Sequence, residues 1–500
     1  MRNQKFMLLL LICLILGMIA GTIIRAQEPP GEILVYTSLG SQPGGANVTQ
    51  AGSIAWIDEE GLLTPILAMP FIPQRVIACS DKPVSNDRQI ATFFAGAEEG
   101  SLYAVSGYDR VIELDTSFSA LGCLGNGALH FTEDSKHLAY IDYPSQSAQV
   151  SAGVGRLRIH ETENFETVDN FDNVSAFDVI GNQFSIISFI PNNKNEFVEA
   201  AILIWDGDEG DDIEVATLYS DPGCFYIDGD IKFQPDGNLA LSIGHKCEGQ
   251  NTIRAYVIEP ENRTTTLVAD IPLVGRFFSF TKTNELLVSP ENPLLFFTTP
   301  DGVTNNTVGM KYMDTTGTEV MDLFKQDGVM PGLTSWKTNP THPPQLSADK
   351  NFYAIVTNSP NQDAAIQLID LNIPELSLTV ENRARGQTII EVLFTPDTQN
   401  LIFISGGVTG ESNAIFMTNL VTGNTNRIDR GRFGRGIISP DGNKLALINW
   451  IIPDEEKESP YLNLIILELE NGKTTTIFQG ADIVDRRVTN ARFAVPILWR

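Results

Sequence analysis

The chain of 500 residues has little histidine and none of the motifs that mark common enzyme classes. Its histidines are scattered and lack metal-ligand spacing such as His-Glu-x-x-His, so a catalytic metal is not expected. It contains no Gly-x-Ser-x-Gly elbow and no glycine-rich phosphate loop between a strand and a helix. The sequence therefore points to no reaction by motif alone.

Basic residues are also scarce, with 34 Lys and Arg against 62 Asp and Glu and a net charge of −28. A field of this sign repels nucleic-acid phosphates and anionic lipid head groups, and it favours cations, basic partners and solubility. We therefore expect no binding to nucleic acid.

Only one long apolar run is present, at residues 7–24 behind Arg2 and Lys5, and Ala26 offers a cleavage site. Residues 1–26 therefore read as a signal peptide, or as an uncleaved N-terminal anchor because the run is long enough to span a bilayer. Residues 27–32 form a polar linker. We expect a secreted or cell-envelope protein that touches a membrane only through this segment.

Cysteines are few, and four remain after residue 26. An even number in an oxidising compartment favours disulfides over metal sites. Cys224 and Cys247 bracket the turn at 235–238 and should face each other across paired strands, which leaves Cys79 and Cys123 as the second pair.

Helical periodicity is missing after the signal segment, and what replaces it is a repeated hairpin. Its clearest copy is 437–449, in which Pro440-Asp441-Gly442 suits a tight reversal between two β-branched runs. The copies occupy 76–94, 128–141, 176–189, 231–243, 286–298, 345–356, 392–405 and 437–449. Each is followed by a second hairpin, as in 310–324 and 464–478.

Four strands in each stretch of roughly 50 residues are typical of the blades of a β-propeller. The sequence predicts an all-β chain with a single propeller over 33–500, of about eight blades with seven to nine open. The N-terminal segment lacks an inner strand, which 491–499 could supply by pairing the two ends of the chain in one blade. Such closure would remove open sheet edges.

The Ser-Pro-Asp-Gly-Asn-Lys-Leu-Ala-Leu element, followed by Leu-Glu-Leu-Glu-Asn-Gly-Lys, resembles the TolB-type, WD-repeat-like propeller repeat. The resemblance covers about residues 33–500. It implies a non-catalytic scaffold that binds a protein partner at the cell envelope, and we expect the protein to be a monomer. Only the turns at Pro235 and Pro440 keep the family's Pro-Asp-Gly, so the other copies depart from it.

Long loops between the second and third strands, and between successive blades, emerge on one face of the predicted propeller, where binding residues are often carried. On that face Trp336, Trp450 and Tyr461 are the candidate binding aromatics. The acidic segment with Asp206, Asp208 and Asp211 has enough carboxylates for calcium but lacks the spacing of a calcium loop, and Asp and Gly are also ordinary turn residues.

Three functional hypotheses remain open at this point. The leading one is a protein-interaction scaffold without a cofactor. The second is a lyase or hydrolase with its site in the central channel, built from carboxylates on the inner strands. The third is a module that binds carbohydrate or a small ligand. Clustered Asp, Glu, His and Arg side chains around the axis would favour the enzyme.

Overall fold

The structure is a computed structural model of the chain. It describes residues 32–39, 52–69, 73, 75–79, 82–97, 99–119, 123, 129–143, 154–207, 212–248, 251–272, 286–300, 308–315, 320–323, 345–357, 364–382, 388–406, 413–451, 461–480 and 492–500. The predicted signal segment and linker lie outside these residues, except for Glu32. Within the described ranges, no helix has the length and apolar character needed to cross a bilayer.

Antiparallel four-stranded sheets make up the fold, as the repeated hairpins predicted. The first sheet contains β1 Ile33–Leu39, β2 Ser53–Ile57, β3 Leu63–Ala68 and the last strand, β35 Arg492–Trp499. The second contains β4 Arg75–Ala78, β5 Ile90–Gly96, β6 Glu99–Ser106 and β7 Arg110–Ser119.

The next eleven strands belong to one extended sheet. They are β8 Leu129–Phe131, β9 His137–Asp142, β10 Gly155–Glu161, β11 Thr167–Ile180, β12 Gln183–Pro191, β13 Phe197–Asp206, β14 Asp212–Tyr219, β15 Cys224–Phe233, β16 Leu239–Cys247, β17 Thr252–Glu259 and β18 Thr264–Pro272. Strand β11 joins two units, because its first half pairs with β10 and its second half, from Val174 on, pairs with β12. A single pair, Phe197 with Tyr226, links β13 to β15.

Four further sheets complete the described part of the chain. They comprise β19 Leu286–Val288, β20 Leu294–Pro300, β21 Val308–Asp314 and β22 Met321–Asp322; β23 Gln345–Leu346, β24 Phe352–Thr357, β25 Ala365–Asp370 and β26 Leu378–Glu381; β27 Thr388–Phe394, β28 Asn400–Gly406, β29 Asn413–Asn419 and β30 Thr425–Gly431; and β31 Phe433–Ile438, β32 Lys444–Ile451, β33 Tyr461–Glu468 and β34 Thr474–Phe478. A short 3-10 turn, Pro374–Leu376, precedes β26.

The first and last strands of the chain lie side by side. β1 pairs antiparallel with β35 from Ile33 opposite Trp499 to Leu39 opposite Arg492, and the sheet order is β3-β2-β1-β35. β35 therefore occupies the position of the missing inner strand, which the sequence analysis assigned to residues 491–499. The two ends of the chain share one sheet, which ties the terminal segments to each other.

The turn between the first two strands of each unit has a repeated chemistry. A Ser or Thr hydroxyl donates to the carboxylate two residues later, as in Ser439 to Asp441 at 2.5 Å and Thr395 to Asp397 at 2.6 Å. The residue after that Asp has positive φ, 74° at Gly442 and 55° at Thr398. Glycine reaches this conformation without strain, which explains the Pro-Asp-Gly motif and shows that other residues can occupy the same turn.

The core is divided among the spaces between neighbouring sheets. One cluster joins Ile187 and Ile202 of one unit to Ile231, Leu241 and Ile243 of the next, and all five are fully buried. Strands inside the sheets, such as β5, β16 and β28, are buried at nearly every position, because both faces of each sheet make apolar contact with neighbouring sheets. The first strands of several successive units also contact one another, as β23 contacts β27, β27 contacts β31 and β31 contacts β35.

Both cysteine pairs are disulfides in the structure, Cys224–Cys247 and Cys79–Cys123. Cys224 and Cys247 lie directly opposite each other in the register of β15 and β16. Cys79 follows β4, and Cys123 lies before β8, so the second bridge connects two successive units.

Candidate functional site

A cavity of about 1080 Å³ lies between the first strands of several sheets. Its walls come from β4, β27, β31 and β35, from Gln345 of β23, and from the turns that follow β4, β27 and β31. Much of the wall is apolar and is supplied by Ile77, Ile390, Leu393, Ile437, Val495 and Ile497. The volume is that of a pocket for a drug-sized molecule. We call it the axial cavity.

The charged side chains of this cavity are mostly basic although the chain as a whole is acidic. Its described lining includes Arg75, Lys82, Arg88 and Arg435 but a single carboxylate, Glu391. Arg500 also lines it, but its guanidinium reaches instead to Glu32 and to the carbonyl of Gly107. The axial cavity therefore has the opposite charge to the overall molecule.

Local irregularities in the two innermost strands supply Glu391 and Arg435. The register of β27 with β28 shifts between Ile389 and Glu391, and that of β31 with β32 shifts between Phe433 and Gly436. An extra residue in one strand of a pair turns the following side chain away from its regular direction. These bulges aim two charged groups at each other in strands that are otherwise apolar.

Glu391 and Arg435 form a close charge pair in the wall of the cavity. The Arg435 Nε and Glu391 Oε2 atoms are 3.7 Å apart, and the two side chains are 49% and 17% exposed. Burial raises the pKa of the Glu391 carboxyl to about 7, against the opposing effect of the Arg435 charge. Glu391 therefore changes its charge near neutral pH, because desolvation disfavours the ionised form.

Basic side chains also influence the pKa of His130, which lies on β8. Burial lowers the pKa of His130 to about 3; Asp178 acts in the opposite direction, and the charges of Lys232, Lys350 and Lys82 lower it further. These three lysines belong to different units of the chain.

Carboxylates of the inner strands join neighbouring units instead of forming a pair. Asp178 Oδ2 accepts the N–H of Phe233 at 2.9 Å, and Asp230 Oδ2 accepts the N–H of Leu286 at 2.9 Å. The acceptor and donor are 55 and 56 residues apart, about one repeat. Asp230 is one of the inner-strand carboxylates that could have served a site in the channel. Its hydrogen bond instead holds two first strands together.

The buried residue His245 makes the stability of the fold depend on pH in the acidic range. His245 is fully buried, packs edge-on against Tyr226, and neither of its ring nitrogens has a hydrogen-bond partner among the described residues. Burial and then Arg254 lower its pKa to about 4. The unfolded chain, with an ordinary imidazole pKa near 6.5, binds this proton more readily than the folded protein.

We therefore expect His245→Phe to flatten the loss of stability on acidification. In the parent protein the contribution of His245 is lost as pH falls from about 6.5 to about 4, a change of up to about 3 kcal/mol. Thermal unfolding at pH 7 and pH 4.5 measures it. Arg427→Gln is the comparison, since it changes an exposed residue of β30, leaves His245 in place and should keep the parent's dependence on pH. Equal slopes for His245→Phe and the parent would contradict the prediction.

The structure separates the aromatic residues that the sequence singled out. Trp450 is 43% exposed near the end of β32. It is paired with Leu462, whereas Tyr461 is paired with Ile451, so Trp450 and Tyr461 point to opposite faces of the sheet. Trp336 lies outside the described residues, as does most of the loop face. Trp450 and Tyr461 therefore do not form one aromatic patch.

The candidate calcium residues are only partly described. Asp206 ends β13, and its carboxylate accepts a hydrogen bond from Gln183 Nε2 at 2.9 Å. Asp208 and Asp211 lie outside the described residues. In the ranges given above, no three His, Cys, Asp or Glu side chains converge as a metal would require. Calcium binding by this segment therefore stays a prediction.

No protein-family model matches the chain, and no curated protein sequence matches it. Among solved structures it is similar to a eukaryotic initiation factor, at 13% identity over 92% of this chain and 97% of that one, with a TM-score of 0.49. It is similar to TolB from Acinetobacter baumannii, at 12% identity over 73% and 82%, with a TM-score of 0.28. It is also similar to the β-propeller domain of the trilobed protease from Pyrococcus furiosus, at 10% identity over 68% and 94%, with a TM-score of 0.38.

Structural neighbours of the chain thus include TolB and another β-propeller protein, at low sequence identity. Fold likeness at this level says nothing about activity, because one fold hosts many functions. Any functional conclusion has to come from the chemistry of the axial cavity.

Proposed function

We propose that this chain is an exported, non-catalytic β-propeller that serves as a binding scaffold at the cell envelope or outside the cell, with the axial cavity as its main binding site. The observation that carries the proposal is the cavity lining, in which apolar walls and several cations accompany a single described carboxylate. Glycoside-type acid–base chemistry uses two facing carboxylates, so this lining supports binding more than hydrolysis. The two disulfides support an oxidising location.

The proposal includes a ring of nine units instead of the working number of eight. The described strands supply six separate four-stranded sheets, and the eleven-stranded sheet contributes three more units if β11 serves in two of them. The pairing of β1 with β35 supports a ring joined through its ends.

An in-cell photo-cross-linking experiment tests the scaffold function. A photoreactive residue in place of Arg88, which is exposed and lines the axial cavity, should capture a reproducible partner in the native envelope. The matched control places it at Arg427, which is exposed on β30, the outermost strand of its unit. Capture at Arg88 and not at Arg427 would support the proposal. Equal capture at both positions, or none at Arg88, would contradict it.

A second function, catalysis in the channel, is favoured by one observation. Glu391 has a pKa of about 7 and lies in a cavity wall, and a carboxylate of this kind can act as a general base. Chemical conversion of a bound ligand by the parent, lost in Glu391→Gln without loss of binding, would favour the enzyme over the scaffold.

A further inference from the structure

The axial cavity combines an apolar wall with a guanidinium that can still donate hydrogen bonds. The 3.7 Å separation between Arg435 Nε and Glu391 Oε2 exceeds hydrogen-bond range, and no described residue accepts a hydrogen bond from Arg435. About half of the Arg435 side chain is exposed, and it lines the cavity. Its planar fork is suited to the two oxygens of a carboxylate.

Apolar side chains line the same cavity as this cation. Ile390 and Leu393 of β27 and Ile437 of β31 line the wall near Glu391 and Arg435, while Val495 and Ile497 of β35 line another part of it. A free inorganic anion would gain nothing from these groups. A ligand with an apolar body would bury it there, at roughly 25 cal/mol for each Å² removed from water.

We propose that the axial cavity binds a carboxylate ligand with an apolar body, either a free organic acid or the C-terminal carboxylate of a peptide, through the Arg435 guanidinium, and that Glu391 regulates this binding. The proposal rests on the proposed function in taking the cavity as the binding site, and it adds the ligand class and a control by pH.

Glu391 regulates the site because it competes with the ligand for Arg435. When Glu391 is protonated it is neutral and can donate its O–H to the ligand carboxylate. When it is ionised, it attracts Arg435 and repels the ligand. The charged groups that face it are few: Arg435 comes from β31, β28 and β23 contribute no described charge beside it, and Arg75 lies in the cavity wall on β4. Binding should therefore weaken as pH rises from 6 to 8.

Titration calorimetry of the purified full chain tests the proposal at pH 6 and pH 8. The probes are octanoate, the neutral octanamide, and a leucine-ended tetrapeptide with a free or an amidated C-terminus. We expect octanoate or the free-acid peptide to bind at least about tenfold more tightly than its neutral partner, and which of the two binds identifies the source of the carboxylate. Octyl phosphate binding as tightly as octanoate would overturn the carboxylate assignment.

Three variants separate the roles of the two residues. Arg435→Gln should weaken binding at least about tenfold, and Arg435→Lys, which keeps the charge without the fork, should fall between it and the parent. Glu391→Gln should bind equally at pH 6 and pH 8. Arg427→Gln removes the same charge on the outermost strand and should leave binding unchanged. Unfolding temperatures confirm that each variant is folded.

The proposal fails if neither acid probe binds at millimolar concentration, if the neutral probes bind equally well, or if Arg435→Gln binds like Arg427→Gln. Capture of a partner at Arg88 together with any of these results would leave the scaffold function standing and reject only the ligand class. If ligand binding is lost in Arg435→Gln but no partner is captured at Arg88, the ligand class stands and the scaffold function is rejected.

Discussion

Arg500→Ala is expected to lower the free energy of unfolding by about 3–5 kcal/mol, the cost of breaking a buried ion pair. The Arg500 side chain is only 2% exposed, and its Nη2 lies 3.0 Å from Glu32 Oε2. Nη1 donates to the Gly107 carbonyl at 2.7 Å. The variant would leave Glu32, whose side chain is 13% exposed, without its cation.

Aromatic contacts add to this effect. The guanidinium lies 3.9 Å from the ring centre of Trp56 and 4.9 Å from that of Tyr108. Trp56 belongs to β2, and Tyr108 to the turn between β6 and β7, so one side chain connects β35 to both of the first two sheets. A cation over an aromatic face contributes about 0.5–2 kcal/mol where it is desolvated.

Denaturant unfolding measures the change, with Arg427→Ala as the control because it removes an exposed arginine from β30. Arg500→Lys should recover part of the loss, since lysine keeps the charge but not the planar stacking or the second hydrogen bond. A loss below about 1 kcal/mol for Arg500→Ala, comparable to that of Arg427→Ala, would show that the pairing of β1 with β35 does not depend on this residue.

Sequence reasoning reached the hairpins because their signal is local. The turn at 439–442 needs an acceptor for neighbouring donor groups and a residue that tolerates positive φ. Asp441 accepts from the Ser439 hydroxyl and from the Asn443 N–H, and Gly442 has positive φ, so the residue types themselves predict the turn. Strand pairing across such a turn then follows from its register. The facing positions of Cys224 and Cys247 follow in the same way, because both lie on one hairpin.

The axial cavity was out of reach because its chemistry depends on strands far apart in the chain. β4 and β35, which share one wall, are separated by more than 400 residues. A trace of the site is nevertheless visible in the sequence, since Glu391 and Arg435 are charged residues within short apolar strands. What could not be read is that the strand register is irregular just before Glu391 and around Arg435, which turns the two side chains toward one another.

For the inner-strand carboxylates, residue type alone was misleading. As acidic residues they were candidates for a site in the channel, but their hydrogen bonds join two neighbouring strands. Asp230 is fully buried, and its carboxylate accepts the N–H groups of Ile231 at 3.0 Å and Leu286 at 2.9 Å. Lys232 Nζ lies 3.5 Å from the same group. One side chain thus connects β15 to β19 of the next unit and compensates a largely buried lysine.

Asp230→Ala is therefore expected to destabilise the protein by about 3–5 kcal/mol, because it removes both the acceptor for a buried amide of the next unit and a carboxylate that pairs with Lys232. Asp230→Asn should lose less, since one amide oxygen can still accept one of the two N–H groups. Asp109→Ala, an exposed carboxylate in the turn before β7, is the control for the change in net charge.

Hydrogen exchange locates the effect as well as its size. If Asp230 holds the two units together, the amide of Leu286 should lose protection in Asp230→Ala far more than the amides inside the β15–β16 ladder. A variant in which protection falls evenly over the chain would assign Asp230 to general stability. One as stable as Asp109→Ala would remove Asp230 from the contacts between units and return it to consideration as a group that serves the channel.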